Sequence, residues 1–250
     1  MKSRLGFKKY PKEKIDRRIA GEKAYWNNMQ SFGHWDEKKL EKAVGYGKFI
    51  YYPLHLQPEM TTSVMGGDYK DQMLSIEHLS RILPKGWKIV VKENPKQYYD
   101  YYYRGDEFFK RMHSIDNLIF VGKNIDTKWL IKKSCIVATI TGTAGWESIR
   151  LKRPVLTFGD AWYDGFPGVY KFNPKLNLKE ISEEKINPDS IRKHFESWLK
   201  NCWVGIVDSD YEMISERSEA VMQQDLMGIF NDLDEITAFK DHRTIQTLRK

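Results

Sequence analysis

The sequence predicts an α/β fold in which a parallel sheet carries helices on both of its faces. Short apolar runs alternate along the chain with segments whose apolar residues recur at helical spacing, a pattern that is typical of repeated strand–helix units. The links between these segments are short, which also favours a parallel sheet. The apolar runs are nearly continuous rather than alternating with polar residues, as expected of strands that are covered on both sides.

Five apolar runs bounded by turn residues are predicted as strands. They are residues 48–54 (KFIYYPL), 87–92 (WKIVVK), 117–122 (NLIFVG), 135–140 (CIVATI) and 154–159 (PVLTFG). A further short strand is expected at 168–172, inside an otherwise irregular stretch that begins at residue 160. Helical spacing predicts the intervening segments, which are 69–83, 106–115, 126–134 with Asp126 as N-cap, and a helix that begins at about Ala144.

The chain divides into three predicted regions. Residues 1–44 are basic and carry aromatic residues at helical spacing, which predicts a helical arm. Residues 45–180 contain the strands and are expected to form a Rossmann-like domain. Residues 181–250 are expected to form C-terminal helices that pack on this core, over 182–202 and 211–230.

The composition describes a globular chain with a positive charge. Its 250 residues carry a formal net charge of +7, which suits a phosphorylated substrate, an anionic membrane surface or nucleic acid. A solvated basic face is the simpler interpretation, and no RNP, KH or zinc-finger pattern supports nucleic-acid binding. No apolar run is long enough for a membrane span, and the basic N-terminus lacks the apolar region expected of a signal peptide. The chain has two cysteines, and their spacing does not fit a metal site. So few cysteines indicate a reducing, cytoplasmic setting, and peripheral contact with the inner membrane surface stays open.

Polar segments follow four of the predicted strands directly. In a parallel sheet the carboxyl ends of the strands meet at one edge, and ligands bind in the crevice outside that edge. The four segments are therefore expected to lie close together, although they are far apart in sequence. They are His55–Glu59, Lys92–Pro95, Thr141–Gly145 and Gly159–Asp160.

The turn after the fourth strand has the most informative sequence. Thr141, Gly142 and Thr143 place two hydroxyls around a glycine directly before a helix, where free N–H groups attract anions. Gly142 and Gly145 would let a phosphate approach the backbone closely, and either threonine could donate its hydroxyl to a phosphate oxygen. Glu147, about one turn beyond Thr143, could accept hydrogen bonds from ribose hydroxyls. The alternative is an ordinary helix start, with Thr143 as N-cap and Glu147 merely exposed.

Lys92 closes the second strand and is a candidate for anion binding. Its charge could neutralise a phosphate or a sugar carboxylate. Pro95 fixes the following loop, and Asn94 before it is pushed to an extended conformation. The alternative is a surface lysine beside a turn formed by Asn94 and Pro95.

The loop after the first strand carries the candidates for acid–base chemistry. Either His55 or Glu59 could serve as acid or base if it is held near a substrate hydroxyl. A histidine that follows a strand is more often structural, and this alternative stays open. Gln57 between them is a neutral hydrogen-bonding candidate.

One further motif has the form of a metal site. Asp208-Ser209-Asp210 imitates the metal-binding DxD of some glycosyltransferases, but it falls between two predicted helices rather than after a core strand. Asp and Ser are common N-cap residues, so a helix cap is the better interpretation.

Several of these segments resemble the capsular polysaccharide synthesis family, which includes bacterial β-Kdo transferases. The resemblance rests on YYPLHLQPEMTTSVMGG, LPKGWKIVVKENP, NLIFVG and ATITGTAGWESIRLKRPVLTFGDAWY, and it covers residues 48–172. TGTAGWE followed by a basic residue, proline and an apolar strand is typical of the nucleotide-binding, C-terminal half of GT-B glycosyltransferases. KENP resembles the family's Lys-x-x-Pro turn, which often has His before the proline; Asn94 stands there in this chain.

The resemblance implies a glycosyltransferase of capsular or surface polysaccharide synthesis. It would bind a nucleotide-activated sugar, CMP-linked and Kdo-like, and transfer the sugar to a glycan acceptor without an obligatory metal or other cofactor. By position, the residues that would bind the nucleotide sugar are Gln57, Lys92, Asn94, Pro95, Thr141, Gly142, Thr143, Glu147 and Gly159. His55 and Glu59 would face the cleft as the catalytic candidates.

One departure from the family's pattern leaves alternatives open. A GT-B enzyme has two Rossmann-like halves, and residues 1–44 are too few to form an acceptor half before the first core strand. The chain can be a domain of a larger enzyme, or a second chain can supply the acceptor half. It can also be a non-catalytic glycan- or partner-binding module, or a sugar-nucleotide epimerase, since epimerases share this architecture.

Overall fold

The computed structural model describes residues 12–98, 104–122 and 124–200. Within these ranges a six-stranded sheet forms, and every neighbouring pair of strands is parallel. The strands are β1 (Phe49–Pro53), β2 (Lys88–Lys92), β3 (Leu118–Val121), β4 (Ile136–Thr139), β5 (Val155–Thr157) and β6 (Val169–Lys171). Each of the six lies within a segment predicted as a strand, so the predicted fold class is confirmed.

The helices connect and flank these strands. They are α1 (Lys12–Ser31), α2 (Glu37–Val44), α3 (Met60–Ser63), α4 (Gln72–Ile82), α5 (Asp106–His113), α6 (Thr127–Lys133), α7 (Thr143–Arg150), α8 (Leu178–Glu183) and α9 (Pro188–Leu199). Two short 3₁₀ turns, Gly67–Lys70 and Pro95–Tyr98, follow the loops after β1 and β2. The sheet and helices α1 to α8 belong to a compact unit that extends to His194.

The order of the strands creates a switch point in the middle of the sheet. Across the sheet the order is β3-β2-β1-β4-β5-β6, so the chain leaves β1 on one side toward β2 and later returns to its other side as β4. At such a point the connecting loops run in opposite directions and leave a crevice at the carboxyl ends of the strands. The loops after β1 and β4 therefore face each other across this crevice.

Two apolar layers cover the sheet because alternate residues of each strand point to opposite faces. On one face Ile50 and Tyr52 of β1 belong to a core cluster with residues of α1, α4, α5 and α8. On the other face Phe49 and Tyr51 belong to a second cluster, which contains Leu40 of α2 and residues of α6. The helices on both faces explain why the strands are apolar along their whole length.

The structure corrects the helix predicted over 182–202. Within its described part, that segment contains the end of α8 and all of α9, separated by residues 184–187. Asn177 begins α8 by accepting a hydrogen bond from the backbone N–H of Lys179 at 3.2 Å. Pro188 opens α9, where its lack of an N–H group costs nothing, and it prevents a continuous helix.

Other local predictions have mixed outcomes. Asp126 is the N-cap of α6 as predicted, and its carboxylate accepts a hydrogen bond from the N–H of Trp129 at 2.7 Å. Thr143 as N-cap of α7 is wrong, because Gly142 occupies that position. Tyr25 of α1 lies in the same core cluster as Ile50 and Tyr52 of β1. The division of the chain into three regions at residues 44 and 180 stays a prediction. The helix expected over 211–230 and the Asp208-Ser209-Asp210 motif lie outside the described residues, as do residues 1–11.

None of the helices in the described ranges is both long enough and apolar enough to cross a bilayer.

Candidate functional site

A cavity of about 510 Å³ opens at the switch point, between the loops that follow β1, β2 and β4. Nine of the residues predicted to form the site line it: His55, Glu59, Lys92, Asn94, Pro95, Thr141, Gly142, Thr143 and Glu147. Gln57 and Gly159 are not among the lining residues. The topology therefore brings together three of the four polar segments that follow the predicted strands.

The start of α7 forms one wall of the cavity. Its N-cap is Gly142, which has no side chain to cap the helix, so the first N–H groups of α7 are available to a ligand. Thr143 is exposed and keeps its hydroxyl for a ligand, whereas the hydroxyl of Thr141 donates to the carbonyl of Thr61 at 2.7 Å. Of the two threonines predicted to reach a phosphate, Thr141 therefore fastens the turn to the α3 segment.

His55 anchors the same turn from the opposite loop. Its side chain is buried, and its Nε2 lies 3.2 Å from the backbone N of Ile140 and 2.9 Å from the hydroxyl of Thr139. The N–H of Gly142 in turn donates to the Thr139 hydroxyl at 3.1 Å. Burial, with a smaller contribution from the charge of Arg104, lowers the pKa of His55 from 6.5 to about 4. The imidazole is therefore neutral at neutral pH.

The buried neutral histidine predicts a pH-dependent stability. Between pH 6.5 and pH 4 the unfolded chain binds a proton at His55 and the folded chain does not. The free energy of unfolding therefore decreases as the pH is lowered across this window. The expected total loss is roughly 3 kcal/mol. Urea unfolding at pH 7.5, 6 and 4.5 should show this loss in wild type and in the exposed control His34→Gln, but not in His55→Gln. An equal loss in His55→Gln would contradict the prediction.

Two glutamines hold the His55 loop in place by pairing with its backbone. Gln72 accepts from the N–H of His55 at 2.7 Å and donates to its carbonyl at 3.1 Å. Gln97 makes the same two-bond pairing with the backbone of Gln57, both bonds being 3.1 Å long. The side chain of Gln57 donates to the carbonyl of Lys70 at 2.6 Å. Gln57 therefore supports the loop, which explains why it does not line the cavity.

A buried ion pair lies beside this loop. Arg104 binds Glu93 in a bidentate manner with two bonds of 2.8 Å, and the side chains are only 4% and 0% exposed. Arg104 also donates to the carbonyl of His55 at 2.8 Å, and Glu93 accepts from the N–H of Asn94 at 2.8 Å. The hydroxyl of Tyr25 donates to Glu93 at 3.2 Å. The pair thus joins the loops after β1 and β2 to α1.

Lys92 lies against the cavity and is buried, in contrast to the alternative of a surface lysine. Its Nζ donates to the carbonyl of Ile125 at 2.6 Å and to the hydroxyl of Thr127 at 2.9 Å. Burial lowers the pKa of Lys92, and the nearby charge of Asp126 opposes this effect. An ammonium group has three protons, so one stays available for a ligand in the cavity.

Acidic and polar side chains complete the cavity lining. Glu59 is exposed at the start of α3 and makes no capping hydrogen bond, so its carboxylate is open to the cavity. Glu147 is exposed on α7. Asn94 accepts the N–H of Lys96 at 2.9 Å, which is the turn-forming role considered for it. Among the described residues, no group of three or more His, Cys, Asp or Glu side chains is placed to hold a metal ion.

Comparison with known proteins bears on this site. The sequence model described as capsule polysaccharide biosynthesis protein matches residues 3–197. The chain belongs to this family. The match confirms the resemblance drawn from the sequence and extends it beyond residues 48–172. A search of curated proteins gave no significant match.

Solved structures that resemble this capsule biosynthesis protein include two transferases and an epimerase. The KpsC β-Kdo 2,7 transferase of Thermosulfurimonas dismutans is 17% identical, with a TM-score of 0.42 over 69% of this chain and 53% of that chain. The β-Kdo 2,4 transferase of the same KpsC is 16% identical, with a TM-score of 0.42 over 71% and 56%. The UDP-GlcNAc 2-epimerase of Methanocaldococcus jannaschii is 13% identical, with a TM-score of 0.41 over 73% and 53%. The chain spans about half the length of these structures.

Two glycines of this family member have a different role from the one expected. A Cβ atom on Gly145 would lie 2.6 Å from Cζ of Tyr163, so the space beside this glycine holds a protein ring rather than a phosphate. A Cβ atom on Gly159 would lie 2.6 Å from the carbonyl oxygen of Met65. Gly159 thus allows two protein segments to approach each other, which explains its absence from the cavity lining.

The sequence did not reveal several residues that line the cavity or hold its loops in place. They are Glu93, Arg104, Gln72, Gln97 and Thr139. Each of them makes a hydrogen bond to a residue 11 to 84 positions away, and no short motif marks such pairings. Two of them could have been found by their position, because Glu93 directly follows β2 and Thr139 ends β4.

Proposed function

We propose that this family member is a glycosyltransferase that binds a CMP-linked, Kdo-like donor in the cavity and transfers the sugar to a glycan acceptor. The observation that carries the proposal is the cavity at the switch point of a capsule biosynthesis protein, which is lined by Lys92, Thr143 and the start of α7. An ammonium group, a hydroxyl and backbone N–H groups all donate hydrogen bonds to phosphate oxygens. The phosphate of the donor would lie at the start of α7.

The proposed site would stabilise the leaving nucleotide by electrostatics. As the bond between the anomeric carbon and the phosphate oxygen breaks, negative charge grows on the phosphate. Lys92 and the N–H groups of α7 are held in position by the fold, so they stabilise this charge without reorganising. The exposed carboxylate of Glu147 would accept hydrogen bonds from the ribose hydroxyls or the base edge.

Glu59 is the proposed base in this reaction. The acceptor hydroxyl attacks the anomeric carbon, its proton passes to the Glu59 carboxylate, and the phosphate leaves with the electron pair of the broken bond. Glu59 suits this role because it lines the cavity, is exposed, and makes no capping hydrogen bond. A second chain or a further domain that binds the acceptor would complete the site.

The proposal is tested by titrating CMP, UDP and GDP into the protein and following the heat of binding. Wild type should bind CMP, and Thr143→Ala should weaken binding by about 10-fold, because a hydrogen bond to a charged phosphate is lost. Glu147→Ala should weaken it to a similar extent. The matched control is Glu107→Ala, which removes an exposed carboxylate from α5, away from the cavity lining. If wild type binds none of the three nucleotides, the proposal is wrong.

Turnover is a separate measurement. Incubation with CMP-Kdo and capsule oligosaccharides should release CMP only when an acceptor is present, and Glu59→Gln should reduce this release at least 100-fold. Nucleotide binding without any release would assign the chain to the non-catalytic module instead.

A further inference from the structure

The hydrogen bonds around His55 fix which of its ring nitrogens carries the proton. The backbone N–H of Ile140 can only donate, and it lies 3.2 Å from Nε2. Nε2 must therefore be the unprotonated nitrogen, which also accepts the hydroxyl of Thr139 at 2.9 Å. Since a neutral imidazole carries one proton, that proton is on Nδ1.

Nδ1 of His55 makes no hydrogen bond to any part of the chain that the structure describes. Among the described residues, Oγ1 of Thr62 is the one side-chain polar atom that is fully buried and has no hydrogen-bond partner, so Nδ1 of His55 is not such an atom. Nδ1 is thus not sealed inside the protein, although the His55 residue is only 6% exposed. His55 lines the cavity, so the cavity is the open space beside its ring.

The cavity around this N–H group suits an anion. The ring of His55 lies beside the start of α7: a Cβ atom on Gly142 would lie 3.0 Å from Cε1, the ring carbon between the two nitrogens, and 3.2 Å from Nε2. The first N–H groups of α7 lack acceptors within the helix, and Lys92 lines the same cavity. Nδ1–H is bonded to the same Cε1 and would add one more donor to this group.

We propose that His55 binds an anionic phosphate oxygen through its Nδ1–H group, as a neutral donor of fixed tautomer and not as a catalytic acid or base. The phosphate as partner rests on the proposed function; the tautomer does not. The imidazole has no free lone pair for a substrate proton, since its one unprotonated nitrogen is occupied by Ile140 and Thr139. Accepting a proton there would break the bond from the N–H of Ile140, one of the two that hold the turn before α7.

Two substitutions separate the two sides of the ring. In His55→Gln the amide oxygen reaches the position of Nε2, so the bonds to Ile140 and Thr139 are kept and the donor to the ligand is lost. In His55→Asn the amide nitrogen replaces Nδ1, so the donor is kept and the bonds to the turn are lost. His55→Gln should therefore unfold at pH 7.5 at nearly the same urea concentration as wild type, but bind CMP about 10- to 100-fold more weakly. His55→Asn should be the less stable of the two, because it loses the bonds to the turn.

The tautomer is read directly from the protein without ligand. Two-dimensional ¹H–¹⁵N NMR of the histidine side chains at pH 7.5 should show, for His55, a protonated Nδ1 and an unprotonated Nε2. A protonated Nε2 would overturn the proposal, and so would a His55→Gln protein that binds CMP as tightly as wild type. A wild type that binds no nucleotide would instead overturn the proposed function and remove phosphate as the partner, while the NMR result for the tautomer stays valid.

Discussion

Arg104→Met is expected to lower the free energy of unfolding by about 3–5 kcal/mol, because it leaves the Glu93 carboxylate buried without its counter-charge. The Glu93 side chain is 0% exposed, so water cannot replace the guanidinium. The remaining bonds to Glu93, from Tyr25 and from the N–H of Asn94, offset only part of the charge. Arg104 also donates to the carbonyl of His55, so the loop beside the cavity should loosen and CMP binding should weaken.

Urea unfolding at pH 7.5 measures this effect, and the chain offers a matched control. Arg17 forms an ion pair with Glu13 in which the side chains are 79% and 74% exposed, so Arg17→Met should change stability by less than about 1 kcal/mol. The double variant Glu93→Gln with Arg104→Met removes both charges and should be more stable than Arg104→Met alone. If Arg104→Met costs no more than Arg17→Met, the pair does not hold the loops together.

The fold could be predicted because its signals are local and repeated. Each strand is an apolar run of the length that a covered strand needs, and each connecting helix shows its own spacing of apolar residues. The failures fall where tertiary packing decides. The six residues of α8 are too few to show a helical spacing of apolar residues. Pro188 begins a separate helix within the segment 182–202, which was predicted as one helix.

The candidate site was predictable to the level of which loops meet, but not to the level of what each side chain does. Lys92 and Thr141 were both expected to face an anion, and both do line the cavity. The sequence does not predict that the Thr141 hydroxyl donates to the carbonyl of Thr61, or that Lys92 is buried and donates to the carbonyl of Ile125. Such partners come from other loops, and no spacing within one loop encodes them.

A glycine in a turn shows the same difficulty most clearly. The missing Cβ can leave room for a ligand or for another part of the protein, and the sequence is identical in the two cases. For Gly145 the structure decides in favour of the protein, because the buried ring of Tyr163 fills the space and its hydroxyl donates to the carbonyl of Gly142 at 2.5 Å. The glycine thus shapes the turn before α7 from behind.

Gly145→Ala should therefore destabilise the protein by about 3 kcal/mol, the upper part of the range for an overpacked core. The sign is informative because alanine is the better helix former by about 1 kcal/mol, so without a clash the substitution in α7 would stabilise the helix. Cζ and Cε2 of Tyr163 would lie 2.6 Å and 2.9 Å from the added carbon, and a ring that is 0% exposed has little room to move. If the ring shifts, the bond to Gly142 breaks and the turn moves, so CMP binding should weaken as well.

Urea unfolding of Gly145→Ala against Gly122→Ala isolates the clash from the general effect of replacing a glycine. An added Cβ on Gly122 meets no atom within 4 Å, so that variant should remain within about 1 kcal/mol of wild type. Tyr163→Leu removes the clashing atoms. The double variant should therefore lose less free energy of unfolding than the sum of the losses in the two single variants. Full additivity, or a Gly145→Ala protein as stable as Gly122→Ala, would mean that Tyr163 does not fill the space behind the turn, and the N–H groups of α7 would then need another support.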